Sequence, residues 1–344
     1  MPKFILSKSI VLDQYKKLED YADIVSYSAK TNPAVGKILE KDTNCVFSVH
    51  LNNELRNIND WSRVFFLVQA ITTDQLEELI QKGVKWFVVD NEEDLSTIIT
   101  YLNRNDVQLN LLLRLKLQQH TIRTEKYYLF GMEAEIIKKH LKKIREDEEL
   151  SKKMLSLGVH FHRTTQNMSE WNMKYEVEEM LGDVLEHIDI INIGGGIPSK
   201  YANTNADVIK GVLKKILEFK EWSNKNNIKL MIEPGRFIAA PAIKLQTKIL
   251  QIHGNTIIAD ASVYSGDLDA LIVPVKLLVE GELSKEEGDP FIIKGITPCQ
   301  LDLFRYRVYL KNPKKGDTLT FLNAGAYNFA SDFCELDKIE TEIK

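Results

Sequence analysis

Several features are scarce in this chain of 344 residues, and each scarcity excludes a class of protein. Its three cysteines, Cys45, Cys299 and Cys334, are too few and too scattered for a disulfide framework or a zinc cluster, so we predict no metal site. No apolar run approaches the roughly 20 residues of a membrane-spanning helix, and residues 1–9 lack a signal-peptide pattern. We therefore expect a cytoplasmic protein that has no membrane partner.

Basic stripes and low-complexity segments are also missing. The formal net charge is −4, and the lysine-rich stretch 138–143 alternates with apolar residues before the acidic residues 146–149. This pattern is typical of a solvated helix face and argues against a nucleic-acid partner. With 44% hydrophobic and 27% charged residues, the composition indicates an ordinary globular enzyme or binding protein.

Short apolar runs of strand length repeat along the first two thirds of the chain, and most precede a polar segment of helical period. Some of these segments carry helix start signals, such as Thr72 with Gln75 and Asn91 before three acidic residues. Eight strand-then-helix units in series indicate a (β/α)8 barrel, because a doubly wound sheet more often has fewer strands. The runs cover 24–29, 45–49, 64–70, 86–90, 109–117, 158–162, 188–194 and 229–233.

The pattern changes after Pro241 to alternating segments separated by turn residues, which predicts a second, β-rich domain of barrel or sandwich type. We predict the (β/α)8 barrel over residues 13–240 and the β domain over 241–344, to which residues 1–12 could add a strand. The predicted strands of this domain are 243–252, 256–259, 270–278, 290–296, 304–310 and 318–322.

Residues that could carry chemistry lie where the barrel runs end, the face at which barrel enzymes place their sites. Lys30 follows the first run, His162 ends the sixth, three glycines close the seventh, and Glu233 ends the eighth. Consecutive glycines allow backbone N–H groups to approach an anion, and Arg236 would add positive charge. Each motif alone is more often a turn or a surface charge, but lysine, glycines and carboxylate together match the needs of pyridoxal phosphate.

These motifs resemble those of the ornithine, diaminopimelate and arginine decarboxylases, pyridoxal-phosphate enzymes of the alanine-racemase-like fold type III. The resemblance covers almost the whole chain. It implies decarboxylation of an amino acid, basic or diamino, such as ornithine, lysine, diaminopimelate or a polyamine-pathway relative. It also implies a homodimer with shared active sites. The matching segments are 27–32, 158–162, 193–196, 233–236, the loop at Cys299, and 325–327.

Transferred residue by residue, the resemblance implies a role for each matching position. Lys30 would bind the cofactor as an aldimine, His162 would stack on its ring, and Glu233 would pair with the pyridine nitrogen. Cys299, on a loop that relatives contribute to the partner's site, would protonate the carbanion left by loss of carbon dioxide. Thr165 would replace a serine of the relatives. The remaining cofactor contacts would come from Arg114, Gly194, Gly195, Gly196, Gly235, Arg236 and Tyr327.

The group that recognises the substrate's distal end is left open by the sequence. Relatives commonly place an acidic residue directly after the loop cysteine, whereas Gln300 follows Cys299 here. A distal ammonium group would then need another carboxylate, and a distal carboxylate would need an arginine. The candidates are Asp267, Asp269, Gln300, Asp302, Arg305 and Arg307.

Two alternatives compete with decarboxylation. A racemase or epimerase would share the barrel, but Glu233 opposes it, because in alanine racemases an arginine meets the pyridine nitrogen and keeps it unprotonated. A catalytically silent regulator would share the whole fold. The joint presence of Lys30, the glycines, Glu233 and Cys299 argues against that alternative.

Overall fold

The computed structural model describes residues 1–117, 130–163, 165–169 and 171–344, without the side chain of residue 206. The chain divides into two compact units. The first, here the barrel unit, comprises residues 15–197 and 210–234, and the second, here the sheet unit, comprises 1–14, 198–209 and 235–344. The sequence-based domain limits stay a prediction.

The elements of regular structure alternate between strand and helix up to residue 232 and are mostly strands thereafter. The strands are β1 Lys3–Leu6, β2 Ile24–Ser28, β3 Val46–Val49, β4 Val64–Leu67, β5 Trp86–Val89, β6 Leu109–Arg114, β7 Met154–His160, β8 Ile190–Asn192, β9 Lys229–Ile232, β10 Ile243–His253, β11 Thr256–Ala259, β12 Leu278–Val279, β13 Asp289–Lys294, β14 Leu303–Leu310, β15 Thr318–Leu322 and β16 Glu340–Ile343. The helices are α1 Lys8–Glu19, α2 Pro33–Asp42, α3 Asn52–Leu55, α4 Thr73–Gln81, α5 Glu92–Arg104, α6 Ala134–Glu146, α7 Glu148–Lys152, α8 Met173–Leu181, α9 Ala206–Lys225, α10 Arg236–Ala242, α11 Val263–Gly266 and α12 Asp269–Ile272.

The barrel unit is a closed ring of parallel strands, β2 through β9 in sequence order, with β9 paired back to β2. This confirms the (β/α)8 prediction: seven of the eight predicted runs contain one strand each, and the sixth run, 158–162, overlaps β7. The sixth strand begins at Met154, earlier than the predicted 158, because the chain there already pairs with Leu109. Residues such as Phe65, Leu112 and Ile190 form a core cluster with at most 2% exposure, as expected for strands covered on both faces.

Local capping explains where the barrel helices begin. The Thr72 hydroxyl accepts a hydrogen bond from the backbone N–H of Gln75, and the Gln75 side-chain oxygen accepts the backbone N–H of Thr72. The predicted capping box is therefore confirmed at the start of α4. Asn91 caps α5 by accepting the backbone N–H of Asp94 with its side-chain oxygen. The lysine-rich stretch lies in α6, which buries Ile137.

The sheet unit confirms the predicted β-rich second domain. Its strand order is β12-β15-β10-β11-β13-β14, and β1 pairs with both β10 and β16. The predicted strand at 270–278 was wrong: α12 begins this stretch, and Pro274, which has no backbone N–H to donate, leaves only the short β12 at its end. Residues 8–12 likewise belong to α1 and not to a strand.

Among the residues that the structure describes, no helix is long and apolar enough to cross a membrane.

Candidate active site

Lys30 lies on a three-residue 3-10 turn, Ala29–Thr31, between β2 and α2. Asn32 ends this turn and caps α2 by accepting the backbone N–H groups of Ala34 and Val35 at 3.0 and 3.3 Å. The hydroxyl of Tyr27 donates to the carbonyl oxygen of Asn32 at 3.0 Å. The turn is thus held at its Asn32 end, and the exposed Lys30 side chain leaves it at the carboxyl end of a barrel strand.

Glu233 follows β9 and is 4% exposed. Its Oε1 accepts a hydrogen bond from Asn192 Nδ2 at 2.7 Å and lies 3.5 Å from His160 Nε2. Burial by itself raises the pKa of Glu233, whereas the neighbouring His160 lowers it, and the net direction is downward. We therefore treat Glu233 as a carboxylate at neutral pH, supported by a direct N–H donor.

The glycine turn, Gly194 to Gly196, leaves no room for a side chain at its first two positions. Gly194 has a φ of +67°, and a Cβ there would lie 2.6 Å from the carbonyl oxygen of Phe161. At Gly195, a Cβ would lie 2.8 Å from the carbonyl oxygen of Glu233. The backbone N–H of Glu233 also donates to Gly194 O at 2.7 Å. Close contacts with neighbouring backbone atoms therefore require glycine at 194 and 195, and a backbone hydrogen bond joins the turn to Glu233.

His162 contacts the same turn, because its Nδ1 accepts the backbone N–H of Gly195 at 3.1 Å. The ring surface is partly open to solvent, yet desolvation by the surrounding barrel atoms lowers the pKa of His162. The ring is then neutral at pH 7, with its proton on Nε2, since Nδ1 serves as an acceptor.

Arg114 ends β6, and its guanidinium stands 4.8 Å from the ring centre of Phe130. Burial lowers its pKa, while the neighbouring Asp90 and Glu233 raise it. Arg114 therefore belongs to the same electrostatic environment as Glu233. Thr165, the predicted phosphate hydroxyl, is exposed.

Three residues of the barrel site were not assigned a role from the sequence. His160 and Asn192 are fully buried next to Glu233, and His50 follows β3. Desolvation, followed by the charge of Lys30, lowers the pKa of His50 to about 3. His160 lies within a recognised motif and His50 directly after a predicted strand, so strand-end position was the signal available for both.

The barrel-unit residues fit pyridoxal phosphate. Gly194 and Gly195 admit no Cβ, so no side chain projects from this part of the turn, and the carboxylate of Glu233 can pair with a protonated pyridine nitrogen. The exposed Lys30 offers the amine that the cofactor's aldehyde needs.

In the sheet unit, Arg236 begins α10 after the cap residue Gly235 and is 3% exposed. Its guanidinium forms a bidentate ion pair with Asp269, donates to the hydroxyl of Tyr201 at 2.8 Å, and lies 5.3 Å from the ring centre of Tyr327. Asp269 is therefore an internal partner of Arg236, which removes it from the candidates for the substrate's distal group.

Asp302 and Arg305 are also buried and bonded to other residues of the sheet unit. Asp302 has no exposed surface and accepts backbone N–H groups of Val263 and Thr297 at 2.9 and 3.0 Å, as well as the Thr297 hydroxyl. Arg305 is 5% exposed and pairs with Glu282. Neither side chain has the open surface that contact with a substrate requires, so we remove both from the candidates.

Cys299 is half-buried, and its Sγ lies 3.2 Å from the hydroxyl of Tyr264. This hydrogen bond, followed by backbone N–H donors of the loop, lowers the pKa of Cys299. The next residue, Gln300, is exposed, whereas Asp267 is 3% exposed with no hydrogen bond to Oδ2. No signal in the sequence pointed to Tyr264.

A family model described as the pyridoxal binding domain of pyridoxal-dependent decarboxylases matches residues 15–240. The chain belongs to this family. Its relatives include the diaminopimelate decarboxylase of Staphylococcus aureus (strain COL). It is 24% identical over 318 residues, which cover 80% of this chain and 70% of that protein.

Solved structures of decarboxylases share the fold over the whole chain. The lysine/ornithine decarboxylase of Vibrio vulnificus, complexed with cadaverine, superposes with a TM-score of 0.79 at 20% identity, covering 100% of this chain and 94% of that one. The arginine decarboxylase of Paramecium bursaria Chlorella virus superposes with a TM-score of 0.78 at 18% identity, covering 99% and 95%. At these identities the superpositions show the common fold alone.

Proposed function

We propose that this chain decarboxylates a basic or diamino acid with pyridoxal phosphate, and that it acts as a cytoplasmic homodimer with shared active sites. One observation carries the proposal: the barrel presents Lys30, a glycine turn without room for side chains at Gly194 and Gly195, and the carboxyl group of Glu233 at the carboxyl ends of its strands. The family match over residues 15–240 supports it.

When bound, pyridoxal phosphate supplies an electron sink for the pair of electrons that remains when the carboxylate departs. In our proposal Lys30 provides the amine that attaches it, and Glu233 keeps a proton on its ring nitrogen. The neutral ring of His162 offers a flat surface for stacking. Phosphate contacts would come from the glycine turn, Thr165, Gly235 and Tyr327, and Arg114 would line the same site. Arg236 would have to leave its ion pair with Asp269 to join them.

Cys299 is proposed to return a proton to the carbon that has lost carbon dioxide. Its lowered pKa and its contact with Tyr264 support a thiol that exchanges protons easily. Because relatives contribute this loop to the partner's site, the role requires the dimer. The exposed apolar side chains Ile272 and Leu301, 74% and 62% exposed, support a subunit interface in the sheet unit.

For the distal group of the substrate we propose Gln300, which is exposed and adjacent to Cys299. Its amide oxygen can accept a hydrogen bond from an ammonium group, although it adds no negative charge. Asp267 is the remaining acidic candidate, and its burial makes it the weaker one.

The test is a substrate panel read by release of carbon dioxide, with ornithine, lysine, arginine and diaminopimelate. The wild type is expected to be yellow with cofactor and to release carbon dioxide from at least one member. Lys30→Ala should lose both properties, because the attaching amine is gone, whereas Lys37→Ala, an exposed lysine on α2, should keep both. A wild type that stays colourless with added cofactor would contradict the proposal. A product of inverted configuration, without carbon dioxide, would instead indicate a racemase.

A further inference from the structure

His160 is a completely buried histidine whose two ring nitrogens, Nδ1 and Nε2, make no regular hydrogen bond. Such a side chain is unusual, because buried polar groups in native proteins nearly always have a partner. Burial lowers the pKa of His160, so the ring is neutral and has one N–H to donate. An uncommitted donor in a barrel core calls for an explanation.

The carboxylate of Glu233 lies close to this donor. His160 ends β7 and pairs in register with Asn192 at the end of β8, next to the strand that leads into Glu233. His160 Nε2 lies 3.5 Å from Glu233 Oε1, the same oxygen that accepts Asn192 Nδ2 at 2.7 Å. The carboxylate is therefore approached by N–H-bearing groups from two strand ends.

Asn192 also connects Glu233 to the glycine turn. While its Nδ2 donates to Glu233, its Oδ1 accepts the backbone N–H of Gly194 at 2.8 Å. The Asn192 amide is thus held on both its nitrogen and its oxygen side, in the second case by the backbone of Gly194. The contact between His160 Nε2 and Glu233 Oε1 is longer, at 3.5 Å. A small rotation of the carboxylate would shorten it to a normal hydrogen-bond length.

We propose that His160 is a positioning residue for Glu233: it donates its Nε2–H to Oε1 and, with Asn192, keeps the carboxylate ionised and in one orientation. The consequence for catalysis rests on the proposed function, in which Glu233 pairs with the pyridine nitrogen of the cofactor. A purely structural alternative is that His160 only fills space between β7 and its neighbours.

The first experiment uses the protein without cofactor, so it is independent of the proposed function. Nitrogen-15 NMR of histidine-labelled protein distinguishes the two neutral tautomers and the imidazolium, and His160→Gln assigns the signals. We expect the Nε2–H tautomer for His160 in the wild type, and a loss of that preference in Glu233→Leu, which removes the acceptor oxygen. An Nδ1–H tautomer or an imidazolium in the wild type would overturn the proposal, and so would a signal that Glu233→Leu leaves unchanged.

The second experiment measures the effect on bound cofactor labelled with nitrogen-15 in its ring. His160→Leu removes the donor at similar volume, whereas His160→Gln keeps an N–H group near the position of Nε2. The ring nitrogen should lose its protonated signal in His160→Leu and keep it in His160→Gln. His187→Gln, a change of a partly exposed histidine of the barrel unit, should match the wild type.

The kinetic counterpart separates positioning from packing. For His160→Leu we expect kcat to fall about tenfold, the scale of losing one hydrogen bond to a charged group, with KM little changed and with recovery in His160→Gln. Equal losses in His160→Leu and His160→Gln, with a protonated ring nitrogen in both, would show that His160 fills space and would refute the proposal. If His160→Leu does not fold, the tautomer measurement on the wild type decides.

Discussion

Replacing Gly194 with alanine tests whether the close backbone contacts and the positive φ at this position require glycine. At a φ of +67° an alanine costs about 1–2 kcal/mol relative to its preferred conformations. The added Cβ would also lie 2.6 Å from Phe161 O and 2.8 Å from His162 Nδ1. Relieving such overpacking typically costs about 1–3 kcal/mol, so Gly194→Ala should lower the free energy of unfolding by about 2–5 kcal/mol.

The same change should weaken cofactor binding, because Gly194 contacts Glu233 and Asn192 through its backbone. The assay is urea unfolding of the cofactor-free protein, together with a titration of pyridoxal phosphate followed by visible absorbance. Gly211→Ala is the matched control: it lies in α9, its Cβ would meet no atom within 4 Å, and it should stabilise by about 0.5–1 kcal/mol. A Gly194→Ala protein within about 0.5 kcal/mol of the wild type, with unchanged cofactor affinity, would refute the reasoning.

Two further predictions concern stability. Burial, and then the charge of Asp269, raise the pKa of Asp267, so the native state holds this proton more tightly than the unfolded state. The free energy of unfolding therefore falls as pH rises from the unfolded-state pKa of about 4 toward the raised native pKa, by about 1.4 kcal/mol per pH unit. Asp267→Asn removes this loss, so its free energy of unfolding relative to the wild type should be higher at pH 8 than at pH 5. An equal difference from the wild type at both pH values in urea unfolding would contradict this. Arg63 donates to the carbonyl oxygens of Glu40, Thr43 and Cys45 at 2.7–2.8 Å, so Arg63→Met should destabilise by about 2–3 kcal/mol and Arg63→Lys by less. Equal unfolding midpoints for Arg63→Met and the wild type would show that these bonds contribute nothing.

The sequence by itself determined the barrel, because its signals are local. Seven of the eight strands lie inside a predicted apolar run and the other, β7, overlaps one, and the caps at Thr72 and Asn91 depend on residues three positions apart. The order of Lys30, the glycine turn and Glu233 at strand ends could also be read directly, since parallel barrel strands all end on one face. The stretch 270–278 failed as a strand, because alternation alone did not account for Pro274.

Only the tertiary structure decided which charged residues are available to a ligand. Asp269, Asp302 and Arg305 were all plausible substrate contacts in the sequence, yet each is buried and held by partners from other segments of the sheet unit. In the same way, the contact of His160 with Glu233 joins residues that are far apart along the chain. Hydrogen bonds and ion pairs require distances of about 3 Å, and the folding of distant strands against one another sets those distances, which no local pattern contains.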